Sequence, residues 1–108
     1  MNATQQGFAH PEFLVESEWL AAHLDDPDLV ILDSTTHLIP DPKTTYTVKP
    51  GREDFEQGHI PGAQFVDLQT DLSDNTGRYG KLRFMLPSPE AFAAAMGRFG
   101  VGDSSRVV

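Results

Sequence analysis

The chain has 108 residues, of which 39% are hydrophobic and 22% charged, a composition typical of one small globular domain and not of a disordered segment. Its net charge of −8, with no lysine and arginine cluster that outweighs it, argues against nucleic acid and anionic membranes as partners. The chain contains no cysteine, which excludes a disulfide framework, and its four histidines lack the spacing of metal ligands, so no metal is expected.

Residues 1–11 are expected to form a flexible N-terminal tail. This segment is polar and has neither the charged nor the apolar region of a secretory signal. No apolar run approaches the roughly 20 residues that a membrane helix needs. The absence of a signal favours a cytoplasmic location.

The next elements are a short edge strand at residues 13–15 and a helix. Ser17 has the chemistry of the helix N-cap, because its hydroxyl can accept a bond from an unpaired backbone N–H. Leu20 and Leu24 share one face of this helix, and the Asp-Asp-Pro at residues 25–27 is predicted to end it.

A continuous apolar run at residues 29–32 is typical of a strand buried on both faces of a parallel sheet. Residues 34–50 show no periodicity and are interrupted by prolines, so we expect a long irregular excursion. Residues 51–57 are predicted to form a short helix, with Gly58 available at its C-terminal cap.

Residues 59–83 are predicted to contain one strand between a tight connection and a loop. Residues 59–63 are predicted to form a tight connection and residues 64–68 a second strand. Residues 71–83 are polar and contain turn-forming asparagine and glycine, which indicates a loop.

The C-terminal part begins with a clear helix start, in which the hydroxyl of Ser88 precedes a proline and then an acid. Gly100 is placed where a left-handed helix cap is expected, and residues 106–108 open another buried strand. Three residues spaced at i, i+4 and i+7 form an apolar stripe predicted to lie in the core: Phe92, Met96 and Phe99.

This order of strands and helices predicts an α/β domain with a largely parallel sheet. The final strand stops after two apolar residues, so we interpret the chain as a fragment of a longer protein.

Several segments, in the correct order, resemble the rhodanese family of sulfurtransferases over roughly residues 12–108. The resemblance is carried first by the segment Gly58-His59-Ile60-Pro61-Gly62-Ala63, followed by Phe65-Val66-Asp67. Other matching pieces are Glu16-Ser17-Glu18-Trp19-Leu20, Asp28-Leu29-Val30-Ile31-Leu32-Asp33, Gly51-Arg52-Glu53-Asp54-Phe55, Met85-Leu86-Pro87-Ser88-Pro89 and Gly100-Val101-Gly102-Asp103 with Ser105-Arg106-Val107-Val108.

The resemblance implies a rhodanese-like, three-layer α/β domain with a mostly parallel central sheet flanked by helices, truncated at its C-terminal end. Residues 12–108 would form this partial domain. The two long loops are more similar to tandem-domain members, whose N-terminal domain is usually catalytically silent and packs against a second domain that carries the cysteine. The implied partners are that C-terminal rhodanese domain and a small anionic sulfur donor, with no cofactor.

The donor is indicated by two positions. Mercaptopyruvate-using members of the family tend to carry an aspartate where this chain has Gln69 and a histidine where it has Phe84. The resemblance therefore points to thiosulfate as the donor.

Candidate site residues divide into two groups. The signature residues are expected to be structural: Gly58, His59, Ile60, Pro61, Gly62, Ala63 and Asp67. Cations of an otherwise acidic chain could attract an anionic donor to a cleft or line a domain interface, although a solvated loop is an alternative for the last three: Arg52, Arg78, Lys81 and Arg83.

No catalytic residue is assigned within the chain, because sulfur transfer through a persulfide needs a cysteine thiolate. Two functions stay open. The chain could be the non-catalytic N-terminal part of a thiosulfate sulfurtransferase, or a standalone cysteine-less rhodanese module for protein binding or regulation.

Overall fold

The computed structural model describes residues 7–108 and shows a mixed α/β arrangement around short parallel strands. Strand β1 (Leu29–Val30) pairs in parallel with β6 (Arg106–Val107), and β2 (Leu32–Asp33) pairs in parallel with β5 (Gln64–Phe65). The predicted tail at residues 1–11 falls largely on residues 1–6, which lie outside the described part of the chain.

The stretch from β1 to β2 lies between two neighbouring strands. The amide of Leu32 donates to the carbonyl of Val108 at 2.8 Å, and the amide of Gln64 donates to the carbonyl of Ile31 at 3.0 Å. The predicted apolar strand is therefore confirmed, but Ile31 is its one buried side chain.

Helix α1 (Ser17–Ala22) is shorter than predicted and begins differently. Its N-cap is Glu16, which forms no side-chain capping bond, so the assignment of Ser17 as the N-cap was wrong by one residue. The helix ends at Ala22, three residues before Asp25. No strand forms at residues 13–15, where an edge strand was predicted; Phe13 instead ends a 3₁₀ turn that begins at Pro11.

The segment predicted to be irregular, residues 34–50, is mostly a β-hairpin. Strands β3 (Thr36–Asp41) and β4 (Thr45–Pro50) pair in antiparallel register, with Thr36 opposite Pro50 and Asp41 opposite Thr45. The Asp41 carboxylate accepts a bond from the Lys43 amide at 2.8 Å, which stabilises the turn between the strands. The prediction of an irregular excursion was therefore wrong.

Helix α2 (Arg52–Gln57) has Gly58 as its C-cap, as predicted, but it begins one residue later than expected, because Gly51 is its N-cap. The second strand, β5, is shorter than expected, because Asp67 ends it and caps the short helix α3 (Leu68–Asp71). Residues 72–88 contain no helix or strand, in agreement with the predicted polar loop.

Helix α4 (Pro89–Arg98) starts as predicted, since the Ser88 hydroxyl accepts from the Ala91 amide at 3.1 Å. Gly100 adopts a φ of 83°, the expected left-handed cap. The predicted core stripe is wrong in part: Phe92 is 47% exposed and its two partners are half-buried.

The core of the described residues is small and entirely apolar. It comprises Leu20, Ile31, Phe65, Val66 and Ala95. The side-chain amide of Gln64 donates to the Phe99 carbonyl at 2.8 Å and ties β5 to the end of α4. No helix in residues 7–108 combines the length and apolar character needed to cross a membrane.

Candidate functional site

An aspartate lies at or just beyond the carboxyl end of each strand in the parallel pair β2 and β5. Ligands of α/β proteins commonly bind at this edge of the sheet, which makes the two carboxylates candidate site residues. Asp33 accepts bonds from the Thr35 hydroxyl at 2.7 Å and the Thr35 amide at 3.0 Å. Asp67 accepts from the amides of Gln69 and Thr70 at 3.0 and 3.1 Å. Both carboxylates therefore fix the backbone that follows their strand.

The hydrogen bonds of Thr35 also explain the acidity of Asp33. The side-chain bond from Thr35, followed by its backbone bond, lowers the pKa of Asp33 below the ordinary value of 3.8. His59 adds a smaller electrostatic contribution in the same direction. A carboxylate held ionised in this way is suited to a structural role and not to general acid chemistry near neutral pH.

The predicted signature segment forms the connection from α2 to β5. The Ala63 amide donates to the Ile60 carbonyl at 2.9 Å and closes a tight turn. Gly62 has a φ of 83° in this turn, a conformation that glycine adopts without strain. The segment thus directs the chain from the helix into the strand that pairs with β2.

His59 contacts helix α2 through both its ring face and its ring nitrogen. The Nδ1–H donates to the Phe55 carbonyl at 2.6 Å, and the two rings stack with centroids 3.8 Å apart. His23 repeats this arrangement on Trp19 at the end of α1, with 2.6 Å and 3.9 Å for the same two distances. Both contacts of His59 are therefore to helix α2, in agreement with the expected structural role.

Arg52 lies apart from the other candidate cations. Its guanidinium is 4.6 Å from the ring centroid of Phe65, a cation–π contact that anchors α2 on β5. The adjacent cleft, of about 390 Å³, is lined by Lys49, Pro50, Arg52, Glu53 and Glu56. Its two carboxylates offset the two cations, so this cleft has no net attraction for an anion.

Arg78 is also isolated from the other cations. Its guanidinium lies 5.4 Å from the ring centroid of its neighbour Tyr79. The nearby Asp74 has a pKa lowered by hydrogen bonds from Thr76, with a small contribution from the charge of Arg78. Arg78 therefore belongs to a locally organised surface loop.

Lys81 and Arg83 are brought together with the tip of the hairpin. The Arg83 Nη1 donates to the Tyr46 carbonyl at 3.0 Å, and its guanidinium lies 5.0 Å from the Tyr46 ring centroid. A cleft of about 430 Å³, which we call the tip cleft, is lined by Thr44, Thr45, Tyr46, Lys81, Leu82 and Arg83. Lys81 and Arg83 thus line the same cleft, whereas Arg52 lines a different one.

The hairpin half of the tip cleft was missed by sequence reasoning. Residues 44–48 are rich in β-branched and aromatic side chains, which favour strands. Their alternation of exposed and half-buried positions is the period-two pattern of a strand with one packed face. This signal could have identified the second strand of the hairpin.

Phe84 contributes to a separate apolar depression beside the hairpin. The depression has a volume of about 280 Å³ and is lined by Thr36, Leu38, Leu68 and Phe84. Phe84 has a φ of 59°, which is unusual for a bulky residue. The depression offers no charged group to a ligand.

The described residues contain no group of three or more side chains able to hold a metal ion. No cysteine occurs anywhere in the sequence. The chain therefore supplies no thiolate of its own.

Comparison with known proteins relates the chain to sulfur-transferring proteins, although no family model matches it. It is 37% identical to the 3-mercaptopyruvate sulfurtransferase of Escherichia coli K12, over 89% of the chain and 31% of that protein. It is 39% identical to the human 3-mercaptopyruvate sulfurtransferase, over 88% and 30%. It is 34% identical to the sulfur carrier protein TtuD of Thermus thermophilus, over 94% and 29%.

A solved structure shows the same relationship. The crystal structure of SseA from Escherichia coli, a 3-mercaptopyruvate sulfotransferase described with the rhodanese fold, matches with a TM-score of 0.63 and 35% identity. The match covers 87% of this chain and 32% of that one. The chain spans about a third of the length of the relatives it matches. It has the rhodanese fold and belongs to the rhodanese family of sulfurtransferases.

Proposed function

We propose that this chain is the non-catalytic N-terminal part of a sulfurtransferase whose persulfide-forming cysteine lies outside these 108 residues. The observation that carries the proposal is a rhodanese-family sequence without any cysteine. A serine hydroxyl does not replace the thiolate, because its alkoxide is far too basic to form without an adjacent base. The chain can therefore support the reaction without performing it.

The reaction proposed for the parent protein uses thiosulfate or a related donor. The cysteine thiolate attacks the outer sulfur of thiosulfate, the sulfur–sulfur bond breaks, and sulfite leaves with the bonding electrons. A thiophilic acceptor such as cyanide then takes the outer sulfur from the persulfide and releases the thiolate. Thiosulfate is favoured over mercaptopyruvate because Gln69 and Phe84 replace the polar residues that mercaptopyruvate-using members tend to carry.

The exposed apolar surface supports a role in packing against a second domain. Leu86 is 84% exposed and Phe92 47% exposed, and the apolar depression beside Phe84 lies open. Apolar groups of this kind are covered in a stable assembly, because leaving them in water costs free energy. The relatives are about three times as long as this chain, which leaves room for such a domain. We propose a C-terminal rhodanese domain of the same protein as this partner and the cytoplasm as its location.

The alternative is a standalone rhodanese module for protein binding or regulation. The same exposed side chains would then bind a separate protein. Both proposals treat residues 12–108 as the rhodanese-like domain. They differ in whether the parent polypeptide carries a second domain that contains a cysteine.

The test is thiocyanate formation from thiosulfate and cyanide by the parent-length polypeptide. We expect activity that thiol alkylation abolishes, because the alkylated cysteine can no longer form the persulfide. The matched control is this 108-residue chain, which should form no thiocyanate above the uncatalysed rate. A well-folded parent polypeptide without activity would overturn the proposal and favour the binding module.

A further inference from the structure

The tip cleft joins two cationic side chains to the turn of the hairpin. Lys81 and Arg83 are both exposed, and neither takes part in the three ion pairs formed among residues 7–108. Both residues line the tip cleft, and two cations in one cleft repel, so an anion bound in the cleft lowers the electrostatic free energy. The cleft therefore has the charge of an anion site on a chain whose net charge is −8.

The position of Arg83 is fixed by the hairpin. The Tyr46 carbonyl accepts from the Arg83 guanidinium at 3.0 Å and from the Thr44 hydroxyl at 3.1 Å. A guanidinium has five N–H donors, so one bond to Tyr46 leaves others for a ligand. The stacking of Arg83 on the Tyr46 ring further restricts its side chain, which reduces the entropy lost when a ligand binds.

The carboxylate closest in sequence to this turn is already engaged. Asp41 accepts the backbone amide of Lys43 at 2.8 Å within the turn itself. Lys43 adds a further positive charge to the same turn. The Lys43 charge offsets the charge that Asp41 keeps, and no carboxylate lines the tip cleft, whereas Glu53 and Glu56 line the Arg52 cleft.

We infer that the tip cleft binds a small tetrahedral oxyanion of charge −2. This assignment selects Lys81 and Arg83 from the four candidate cations and leaves out Arg52 and Arg78. The identity of the oxyanion rests on the proposed function: it is the sulfur donor thiosulfate. Thiosulfate would bind at this surface site before it reaches the cysteine. A cleft of about 430 Å³ with several donors accommodates such an ion together with bound water.

The inference is tested on the isotope-labelled 108-residue chain by NMR. Sodium thiosulfate, sulfate and phosphate are added in separate titrations, with sodium chloride of equal ionic strength as the baseline. We expect saturable shifts of the backbone amides at residues 44–46 and 81–83 with thiosulfate and sulfate. Shifts that sodium chloride reproduces, or that fall elsewhere in the chain, would overturn the site.

Two variants distinguish a built site from general attraction. Lys81→Gln removes one charge without breaking any hydrogen bond to the hairpin, and it should weaken thiosulfate binding about five- to tenfold. Arg78→Gln removes an equal charge from the same loop outside the cleft, and it should leave binding within about twofold. Equal weakening by both variants would show that only net charge matters.

The source of the oxyanion is decided by comparing the three titrations. Tighter binding of thiosulfate than of sulfate or phosphate supports a sulfur donor, whereas sulfate or phosphate binding at least as tightly would overturn that assignment. Thiocyanate formation by the parent polypeptide is measured separately. Loss of the site with activity retained, or the reverse, distinguishes failure of this inference from failure of the proposed function.

Discussion

The Gly51 amide donates to the Thr35 carbonyl at 2.8 Å, and the backbone of Gly51 lies directly against the Thr35 side chain. A Cβ added at position 51 would lie 2.7 Å from Thr35 Cγ2 and 2.8 Å from the Thr35 carbonyl oxygen. This close approach brings the start of α2 against the turn that follows β2. A glycine is therefore required here by contact and not by an unusual φ, which is −80°.

Gly51→Ala is expected to destabilise the chain by about 1–3 kcal/mol, because the added methyl group meets backbone that must move. The measurement is urea unfolding followed by circular dichroism. Gly58→Ala is the matched control at the other end of α2, since nothing lies within 4 Å of its added Cβ. Similar decreases in unfolding free energy in the two variants would show that backbone freedom at the helix ends, and not contact with Thr35, determines the effect of an alanine at position 51.

Thr35→Val is expected to raise the pKa of Asp33, because it removes the hydroxyl bond that is the largest cause of the lowered value. A lowered pKa in the folded state stabilises the fold above the ordinary value of 3.8, and this stabilisation disappears as pH falls through the lowered pKa. The variant should therefore be less stable than the unsubstituted chain at neutral pH, and this difference in unfolding free energy should shrink in acid.

Carboxyl-carbon NMR titration measures the pKa of Asp33 directly. Thr76→Val provides the control, because it should raise the pKa of Asp74 and leave that of Asp33 unchanged. A stability difference that does not vary with pH would assign the effect of Thr35→Val to packing.

The elements predicted correctly from sequence were those with a local chemical signal. Ser88 precedes a proline and an acid, and Gly100 follows the last helical turn, so both ends of α4 could be read from short-range chemistry. The apolar run that forms β1 and β2 was equally clear. These signals need no knowledge of the rest of the fold.

The elements missed depend on contacts between distant residues. The prolines at positions 40 and 50 suggested irregular chain, yet Pro40 pairs opposite Tyr46 and Pro50 opposite Thr36 within the hairpin. Prolines are tolerated there because an edge strand has backbone positions that need no partner. The contact of Arg83 with Tyr46 crosses 37 residues of sequence, so the tip cleft was not visible from either loop alone.

Ser88→Ala should destabilise the chain by about 1 kcal/mol, because the Ala91 amide loses its capping oxygen. Ser17→Ala should change stability by less than about 0.5 kcal/mol, since Ser17 is the first helical residue and Glu16 the cap. Thermal unfolding of the two variants compares Ser88, which caps its helix, with Ser17, which has the sequence context of a cap but does not act as one. A larger loss at Ser17 would contradict the observed start of α1.

His59→Leu tests whether the role of this ring is structural or catalytic. We expect a loss of about 1 kcal/mol in unfolding free energy, since the bond to the Phe55 carbonyl and the ring stack are removed. The kcat of thiocyanate formation by the parent polypeptide should be unchanged. His37→Leu, which breaks an exposed ion pair with Asp54, should cost less than about 0.5 kcal/mol. A fall in kcat with a changed pH profile would indicate instead that His59 takes part in proton transfer during the reaction.

Thr45 and Thr47 are both exposed threonines of β4, but glycine should affect them in opposite directions. Thr45 has a φ of 71°, and the left-handed region costs a residue with a Cβ about 1–2 kcal/mol. Thr45→Gly should therefore raise the melting temperature or leave it unchanged, because relief of strain offsets the greater freedom of the unfolded chain. Thr47 pairs with Ile39 in regular strand, so Thr47→Gly should destabilise the hairpin by about 1 kcal/mol. Destabilisation of equal size in both variants would mean that the left-handed conformation of Thr45 stores no strain that glycine can relieve.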